Sequence, residues 1–167
     1  MLLKTERLTI RPFCEEDAGA MAKLLQNREI AKTYMLPDLD EEKALKLSER
    51  FRTLSEDVER AVVGLFDGDG LVGFMNDVER DGTMIEMGYV IDPACWNRGY
   101  ATEALTAMIA ALFDRGYETV ICGAFEENPA SLRVMEKAGM TLLDREDMIE
   151  YRGEKHRCLY RAARKNG

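Results

Sequence analysis

The stretch WNRGYATEAL, Trp96–Leu105, places a glycine between an apolar run and an amphipathic segment. The preceding run MIEMGYVI (84–91) is rich in residues that favour strands. A further apolar run, TVICGA (119–124), comes after the amphipathic segment. Strand, helix and strand in this order predict a right-handed crossover between two parallel strands. The apolar residues that predict the helix are spaced three or four apart, at Ala101, Leu105, Met108 and Leu112.

The start of this predicted helix has the features of an anion site. Free backbone N–H groups at a helix N-terminus, together with the positive end of the helix dipole, bind an anion without many charged side chains. Gly99 lets a phosphate approach the backbone closely, Ala101 keeps the first turn uncrowded, and Arg98 adds one charge-assisted contact. The alternative is that Gly99 only forms a turn and Trp96 only packs.

The rest of the chain predicts strands and helices around one sheet. Three apolar runs separated by turn residues are expected to pair as an antiparallel meander. The expected fold class is therefore α/β (α+β), with a central mixed, mostly antiparallel sheet flanked by helices. The further predicted elements are a strand over 7–13, helices after Glu15, Asp40 and Asn128, meander runs at 61–66, 71–78 and 84–91, and strands near 141–150 and 155–161 that turn at Gly153.

The segment GDGLVG (68–73) matches the GxGxxG pattern of dinucleotide-binding folds. That fingerprint requires a helix after the glycines, to receive the pyrophosphate. Here a strand-like run follows the glycines, so we interpret residues 67–70 as a hairpin turn.

Composition and charge limit the number of domains, the location and the classes of partner that are expected. The 167 residues, 46% of them hydrophobic, suit one well-buried domain over 1–167. No apolar run approaches the roughly 20 residues that cross a bilayer, and the N-terminus does not resemble a signal peptide, so a cytoplasmic protein is expected. The four cysteines show no CxxC spacing, so neither a metal site nor a disulfide framework is expected. A net charge of −8 disfavours nucleic acid and anionic membrane as partners and favours an amine-bearing one.

Two longer segments carry a family resemblance. DPACWNRGYATEAL (92–105), followed by ENPASLRVMEKAGM (127–140), resembles the acetyl-CoA signature of the GNAT N-acetyltransferase superfamily. Within that superfamily the chain resembles the ribosomal-protein N-terminal acetyltransferase branch, the RimJ/RimL-like proteins. This resemblance runs from the opening TERLTIRPFCEEDA (5–18) through EMGYVIDP (86–93) to the second segment. This resemblance implies a splayed sheet in which the strands at 84–91 and 119–124 diverge, with acetyl-CoA in the gap between them.

The resemblance also implies which residues contact the cosubstrate. The backbone of Tyr89, Val90 and Ile91 is expected to pair with the pantetheine arm as an added strand would. Asn128 is expected to hydrogen-bond that arm, with Ser131 one turn further into the helix. The alternative role for both is to cap the helix. The residues expected to cradle the pyrophosphate are Asn97, Arg98, Gly99, Tyr100, Ala101 and Thr102.

The chain departs from the family at two catalytic positions. The Tyr that protonates the departing thiolate in many relatives aligns with Met135, which has no proton to donate, so Ser131 or a water is the candidate donor. The Glu that some relatives use as a base aligns with Gly123. Strand alternation instead points to Glu86 as the base, the alternative being an ordinary solvent-facing glutamate. A backbone N–H near Val90 is expected to hold the thioester oxyanion.

The expected function is acetyl transfer from acetyl-CoA to a primary amine, most simply a protein N-terminal α-amine. Two alternatives remain open at this point: transfer to a small-molecule amine such as an amino acid, polyamine or antibiotic, and a non-catalytic acyl-CoA sensor. The chain is expected to act as a monomer or a homodimer.

Overall fold

The structure is a computed structural model that describes residues 1–166. It contains eight strands and five helices in that range, together with two short 3₁₀ turns. The strands are β1 (Leu3–Lys4), β2 (Thr9–Arg11), β3 (Val63–Asp67), β4 (Gly70–Asp81), β5 (Met84–Ile91), β6 (Thr119–Phe125), β7 (Thr141–Tyr151) and β8 (Glu154–Arg164). The helices are α1 (Ala18–Leu25), α2 (Arg28–Ala31), α3 (Glu41–Glu56), α4 (Tyr100–Asp114) and α5 (Pro129–Lys137).

The strands are hydrogen-bonded in the order β1-β2-β3-β4-β5-β6-β8-β7. β1 to β4 form an antiparallel meander, and β6, β8 and β7 are also antiparallel to one another. β5 and β6 are parallel, and α4 connects them. The predicted fold class is therefore confirmed: the sheet is mixed and mostly antiparallel, and helices flank it.

The chain forms two compact units, of which the first comprises residues 1–76 and 89–100. Its core is rich in aromatic residues, and Phe74 is fully buried. The Phe74 ring lies edge-on to Phe51 of α3 and to Tyr34, with centroid distances of 5.0 and 5.4 Å. α3 begins where the Asp40 side chain accepts a hydrogen bond from the Lys43 N–H at 2.8 Å.

The second unit comprises residues 77–88 and, within the described part of the chain, 101–166. Three members of the predicted α4 stripe, Leu105, Met108 and Leu112, have no exposed surface. A second apolar cluster joins β6 to β8 through Ile121, Phe125, Cys158, Tyr160 and Ala162. The assignment of 1–167 to a single domain stays a prediction.

Two predicted boundaries were wrong. The strand expected over 7–13 is limited to Thr9–Arg11, followed by Pro12, which has no N–H to extend the ladder. The helix expected after Glu15 starts as a 3₁₀ turn at Glu15–Asp17 and becomes α-helical at Ala18.

The hairpin interpretation of 67–70 is confirmed. Asp67 pairs with Gly70 across the turn between β3 and β4, and Gly68 has a φ of +58°. Gly73 has a different role, because a Cβ there would lie 2.1 Å from the Val90 carbonyl oxygen. The glycines of this segment therefore serve a tight turn and a close backbone contact, and no helix follows them. Within residues 1–166, no helix is both long and apolar enough to span a bilayer.

Candidate active site

In the first unit, the segment after β5 forms a loop with two left-handed residues. Asp92 caps a 3₁₀ turn at Pro93–Cys95 by accepting a hydrogen bond from the Ala94 N–H at 3.0 Å. Asn97 and Gly99 then have φ values of +60° and +81°, immediately before α4 begins. Left-handed residues that turn backbone N–H groups toward one side are typical of anion-binding nests.

Trp96 holds the start of this loop. Its indole N–H donates a hydrogen bond to the carbonyl oxygen of Ile91, the last residue of β5, at 2.8 Å. The rest of the side chain is about half exposed, at 48%. Trp96 therefore does more than pack, because its hydrogen bond links the loop to the end of the strand.

Arg7 supports the same loop from the connection between β1 and β2. Its Nη1 donates to the carbonyl oxygen of Arg98 at 2.7 Å, and its guanidinium lies 4.5 Å from the centre of the Tyr100 ring. The Tyr100 hydroxyl in turn donates to the Asp67 carboxylate. A Cβ placed on Gly99 would lie 3.4 Å from Nη2 of Arg7, so a second positive charge borders the loop.

Arg7 was missed in the sequence. It lies in the TERL segment that contributed to the family resemblance, but its spacing to Arg98 is 91 residues, and no local pattern connects the two.

At the end of β5, some backbone N–H and C=O groups face β4 and others face away from it. The Asp92 N–H donates to the Val72 carbonyl of β4 at 2.8 Å. Because backbone groups alternate in direction along a strand, the N–H and C=O of Val90 also face β4, whereas those of Tyr89 and Ile91 face away from it. The geometry therefore favours Tyr89 and Ile91 over Val90 for pairing with an added extended chain, and the contact of all three with the pantetheine arm stays a prediction.

In the second unit, Glu86 belongs to the part of β5 that pairs with β6. The register pairs Met84, Ile85 and Glu86 with residues 119–121, while β6 itself continues to Phe125 beside β8. The Glu86 side chain is 12% exposed, which excludes the ordinary solvent-facing glutamate. Burial raises the pKa of its carboxyl group, and the positive charge of Arg145, 3.4 Å away, partly opposes that rise.

The space beside Gly123 of β6 is filled by Tyr160 of the neighbouring strand β8. Gly123 pairs with Tyr160 of β8, and a Cβ on Gly123 would lie 2.6 Å from Cε1 of the Tyr160 ring. The buried Tyr160 ring therefore fills the space into which a side chain at position 123 would extend. Above that ring lies the guanidinium of Arg145, 3.9 Å from the ring centre.

Asn128 and Ser131 meet at the start of α5. The Asn128 side-chain oxygen accepts a hydrogen bond from the Ser131 N–H at 3.2 Å, so the capping role of Asn128 is confirmed. Met135, on the same helix, has no exposed surface. The remaining predicted residues, Ala101 and Thr102, lie half-buried in the first turn of α4.

His156 is a satisfied strand histidine. Its ring stacks on Phe125 with a centroid distance of 4.4 Å, and Nδ1 lies 3.3 Å from the Glu127 carboxylate. Within the part of the chain that the structure describes, no three His, Cys, Asp or Glu side chains group as metal ligands.

Comparison with known proteins places these features in one family. Residues 7–141 match the acetyltransferase (GNAT) domain family. The N-acetyltransferase YoaA of Bacillus subtilis (strain 168), described as uncharacterised, is 27% identical over 145 residues, which cover 83% of this chain and 81% of YoaA.

Two solved structures have the same fold. RimL, a ribosomal L7/L12 alpha-N-protein acetyltransferase in complex with coenzyme A, superposes with a TM-score of 0.87 and 18% identity over 98% of both chains. Spermidine N-acetyltransferase from Vibrio cholerae, in complex with CoA and spermine, superposes with a TM-score of 0.81 and 17% identity over 95% of both chains. The family match includes both the loop before α4 and the start of α5. The chain therefore belongs to the GNAT acetyltransferase domain family and is an acetyl-CoA-dependent N-acetyltransferase.

Proposed function

We propose that this enzyme transfers the acetyl group of acetyl-CoA to the α-amine of a protein N-terminus. The observation that carries the choice of acceptor is the likeness to RimL, which extends over almost the whole chain. The two signature segments and the TERL opening, which resemble the same branch, also support it. The enzyme is expected to act in the cytoplasm, as a monomer or a homodimer.

The loop of residues 97–102 is proposed to bind the pyrophosphate of acetyl-CoA. Its left-handed residues and the N-terminus of α4 offer backbone N–H groups, and Arg7 and Arg98 add positive charge. Tyr89 and Ile91 have backbone groups that face away from β4, so they are proposed to pair with the pantetheine arm. The Asn128 side-chain oxygen caps α5, which leaves its amide N–H₂ as the group proposed to contact the same arm.

The proposed reaction is a direct attack of the neutral amine on the thioester. The amine nitrogen forms a bond to the acetyl carbonyl carbon, and the carbon–sulfur bond breaks. Glu86 accepts the proton that the amine loses, because its side chain is mostly shielded from water and its carboxylate pairs with Arg145. A backbone N–H near Val90, on the side away from β4, is proposed to stabilise the oxyanion.

The thiolate of coenzyme A takes up a proton as it leaves. Met135 has no proton to donate and is fully buried, so α5 offers no tyrosine for this step at that position. The proposed donor is Ser131 or a water molecule near it. The balanced products are an N-acetylated amine and coenzyme A with a free thiol.

A small-molecule amine is the second candidate acceptor. Two observations favour it: a spermidine acetyltransferase has the same fold, and the net charge of −8 suits a polyamine. A sensor that binds acetyl-CoA without turnover is the third possibility, motivated by the methionine at the usual tyrosine position.

An acceptor panel distinguishes these candidates. The release of coenzyme A is measured with peptides that carry a free α-amine, with the same peptides acetylated at the N-terminus, and with spermidine. The proposal predicts turnover of the free peptides and little with the blocked peptides or spermidine. Faster turnover of spermidine would overturn the choice of acceptor. A thermal shift by acetyl-CoA without turnover of any acceptor would support the sensor.

A further inference from the structure

Arg145 of β7 lies at the centre of a cluster within the second unit. Its Nη1 lies 3.4 Å from the Glu86 carboxylate, and its Nη2 lies 3.3 Å from the carboxylate of Asp147. The face of the guanidinium rests on the Tyr160 ring, 3.9 Å from the ring centre. Contacts from β5, β7 and β8 therefore fix this side chain in place.

An irregularity in β7 brings Arg145 to this position. Leu142 of β7 pairs with Arg161 of β8. The next pair along β7 joins Glu146 to Leu159. Three residues of β7 (143–145) therefore lie opposite a single residue of β8, Tyr160, which is a bulge-like irregularity, and Arg145 lies within it. Bulges redirect side chains and are frequent beside active sites.

The position of the Arg145 guanidinium over the Tyr160 ring also depends on Gly123. With a side chain at Gly123, the Tyr160 ring could not lie over β6, because even a Cβ would be 2.6 Å from it. The ring is 4% exposed and supplies the flat surface on which the guanidinium rests. The same glycine that removes one family base therefore makes room for the tyrosine that supports the partner of Glu86.

We propose that Arg145 is a positioning residue for acetyl transfer, which holds the Glu86 carboxylate in one orientation and stabilises its ionised form. The inference rests on the proposed role of Glu86 as the base. A base accepts a proton only when it is ionised, and an ion pair with Arg145 favours that state against the effect of burial.

The other groups around Glu86 disfavour its ionised form, which Arg145 stabilises. Burial is the main cause that raises the pKa of Glu86, and the negative charges of Glu79 on β4 and Asp147 on β7 add to it. Cys122 of β6, Cys158 and Tyr160 of β8 also interact with Glu86, and each has a raised pKa for which burial is the main cause. These three groups are therefore neutral near pH 7, and Arg145 supplies the positive charge.

The test is a pH profile of kcat/KM for the acceptor in four variants: Arg145→Gln, Arg145→Lys, Glu86→Gln and Arg157→Gln. Arg157 is the matched control, because it is a similarly exposed arginine of the same unit, paired with Glu146 and Glu126. All variants use one acceptor, so that the titration of its own amine is common to every profile. Acetyl-CoA affinity and thermal unfolding are measured alongside.

For Arg145→Gln, the fall of kcat/KM at acidic pH is expected to begin at higher pH than in the wild type, with a loss on the order of 10-fold at the acidic end and a smaller loss at alkaline pH. Arg145→Lys is expected to restore most of the profile, because it keeps the charge. Arg157→Gln is expected to match the wild type.

The outcomes separate the two proposals. If Glu86→Gln retains the wild-type rate at every pH, Glu86 is not the base, and the proposed mechanism fails with the role of Arg145. If Glu86→Gln is impaired but Arg145→Gln keeps the wild-type profile, the positioning role alone is wrong. An equal loss at every pH in Arg145→Gln, with a lower Tm and no rescue by lysine, would likewise overturn it, since that pattern indicates a structural role.

Discussion

Replacing Gly99 with alanine is expected to weaken acetyl-CoA binding more than it destabilises the fold. Gly99 has a φ of +81°, a conformation that costs an L-residue about 1–2 kcal/mol. An added Cβ would have Nη2 of Arg7 as its nearest neighbour at 3.4 Å, which is close to ordinary contact, so backbone strain is the main cost. In a chain of 167 residues this corresponds to a fall in Tm of roughly 2–8 °C.

The loss of binding is expected to be larger, because the methyl group enters the side of the loop where Arg7 lies and where the pyrophosphate is proposed to bind. If one hydrogen bond to the charged phosphate is lost, affinity falls by about 1.5–3 kcal/mol, or roughly 10- to 150-fold. Thermal unfolding with titrated acetyl-CoA measures both effects in one experiment.

Gly116→Ala is the matched control. Gly116 follows the C-terminus of the same helix, has a φ of +99°, and has open space where a Cβ would be added. It is expected to lose comparable stability and to bind acetyl-CoA as the wild type does. If Gly99→Ala kept its acetyl-CoA affinity within about twofold of this control, the loop would be only a turn, and the anion-site reasoning would be wrong.

Three further changes test other parts of the structure. Arg7→Gln is expected to raise the KM for acetyl-CoA with little change in kcat, as initial rates would show; a fall in kcat alone would contradict a binding role. Gly123→Ala is expected to destabilise the protein by about 1–3 kcal/mol in urea unfolding, since its Cβ would lie 2.6 Å from the Tyr160 ring. In a protein that already carries Tyr160→Ala, Gly123→Ala should lower the free energy of unfolding by less than it does in the wild type. An equal loss in the two proteins would refute the steric explanation. Burial opposes the ionisation of Asp17, but hydrogen bonds that include two from Arg11 hold its pKa below the ordinary value. Its contribution to stability is thus present above the unfolded-state pKa and is lost as pH falls through the folded-state pKa, so Asp17→Asn should flatten the stability curve at acidic pH.

Local signals in the sequence predicted most elements because each depends on neighbouring residues. The turns predicted at 67–70 and Gly153 are present, and Gly68 and Gly153 have positive φ values there. Asp40 and Asn128 were expected at the starts of α3 and α5, and both cap those helices.

Long-range contacts were not predictable from the same signals. Arg7 reaches Arg98 across 91 residues, and Arg145 reaches Glu86 across 59. Strand alternation pointed to Glu86 as a candidate base, but it could not indicate that an irregularity in another strand supplies its ion-pair partner. The direction of the Val90 backbone depends on the register with β4, which a single strand does not reveal.

The position of β8 between β6 and β7 has a consequence for synthesis of the chain. β7 is made before β8, yet it joins the sheet through β8. When β7 has left the ribosome, the side of β6 that later pairs with β8 still exposes its N–H and C=O groups. That edge is covered once residues 158–164 have emerged and docked. The nascent protein therefore carries an unpaired sheet edge until β8 has docked, and such an edge is prone to strand exchange and aggregation before folding is complete.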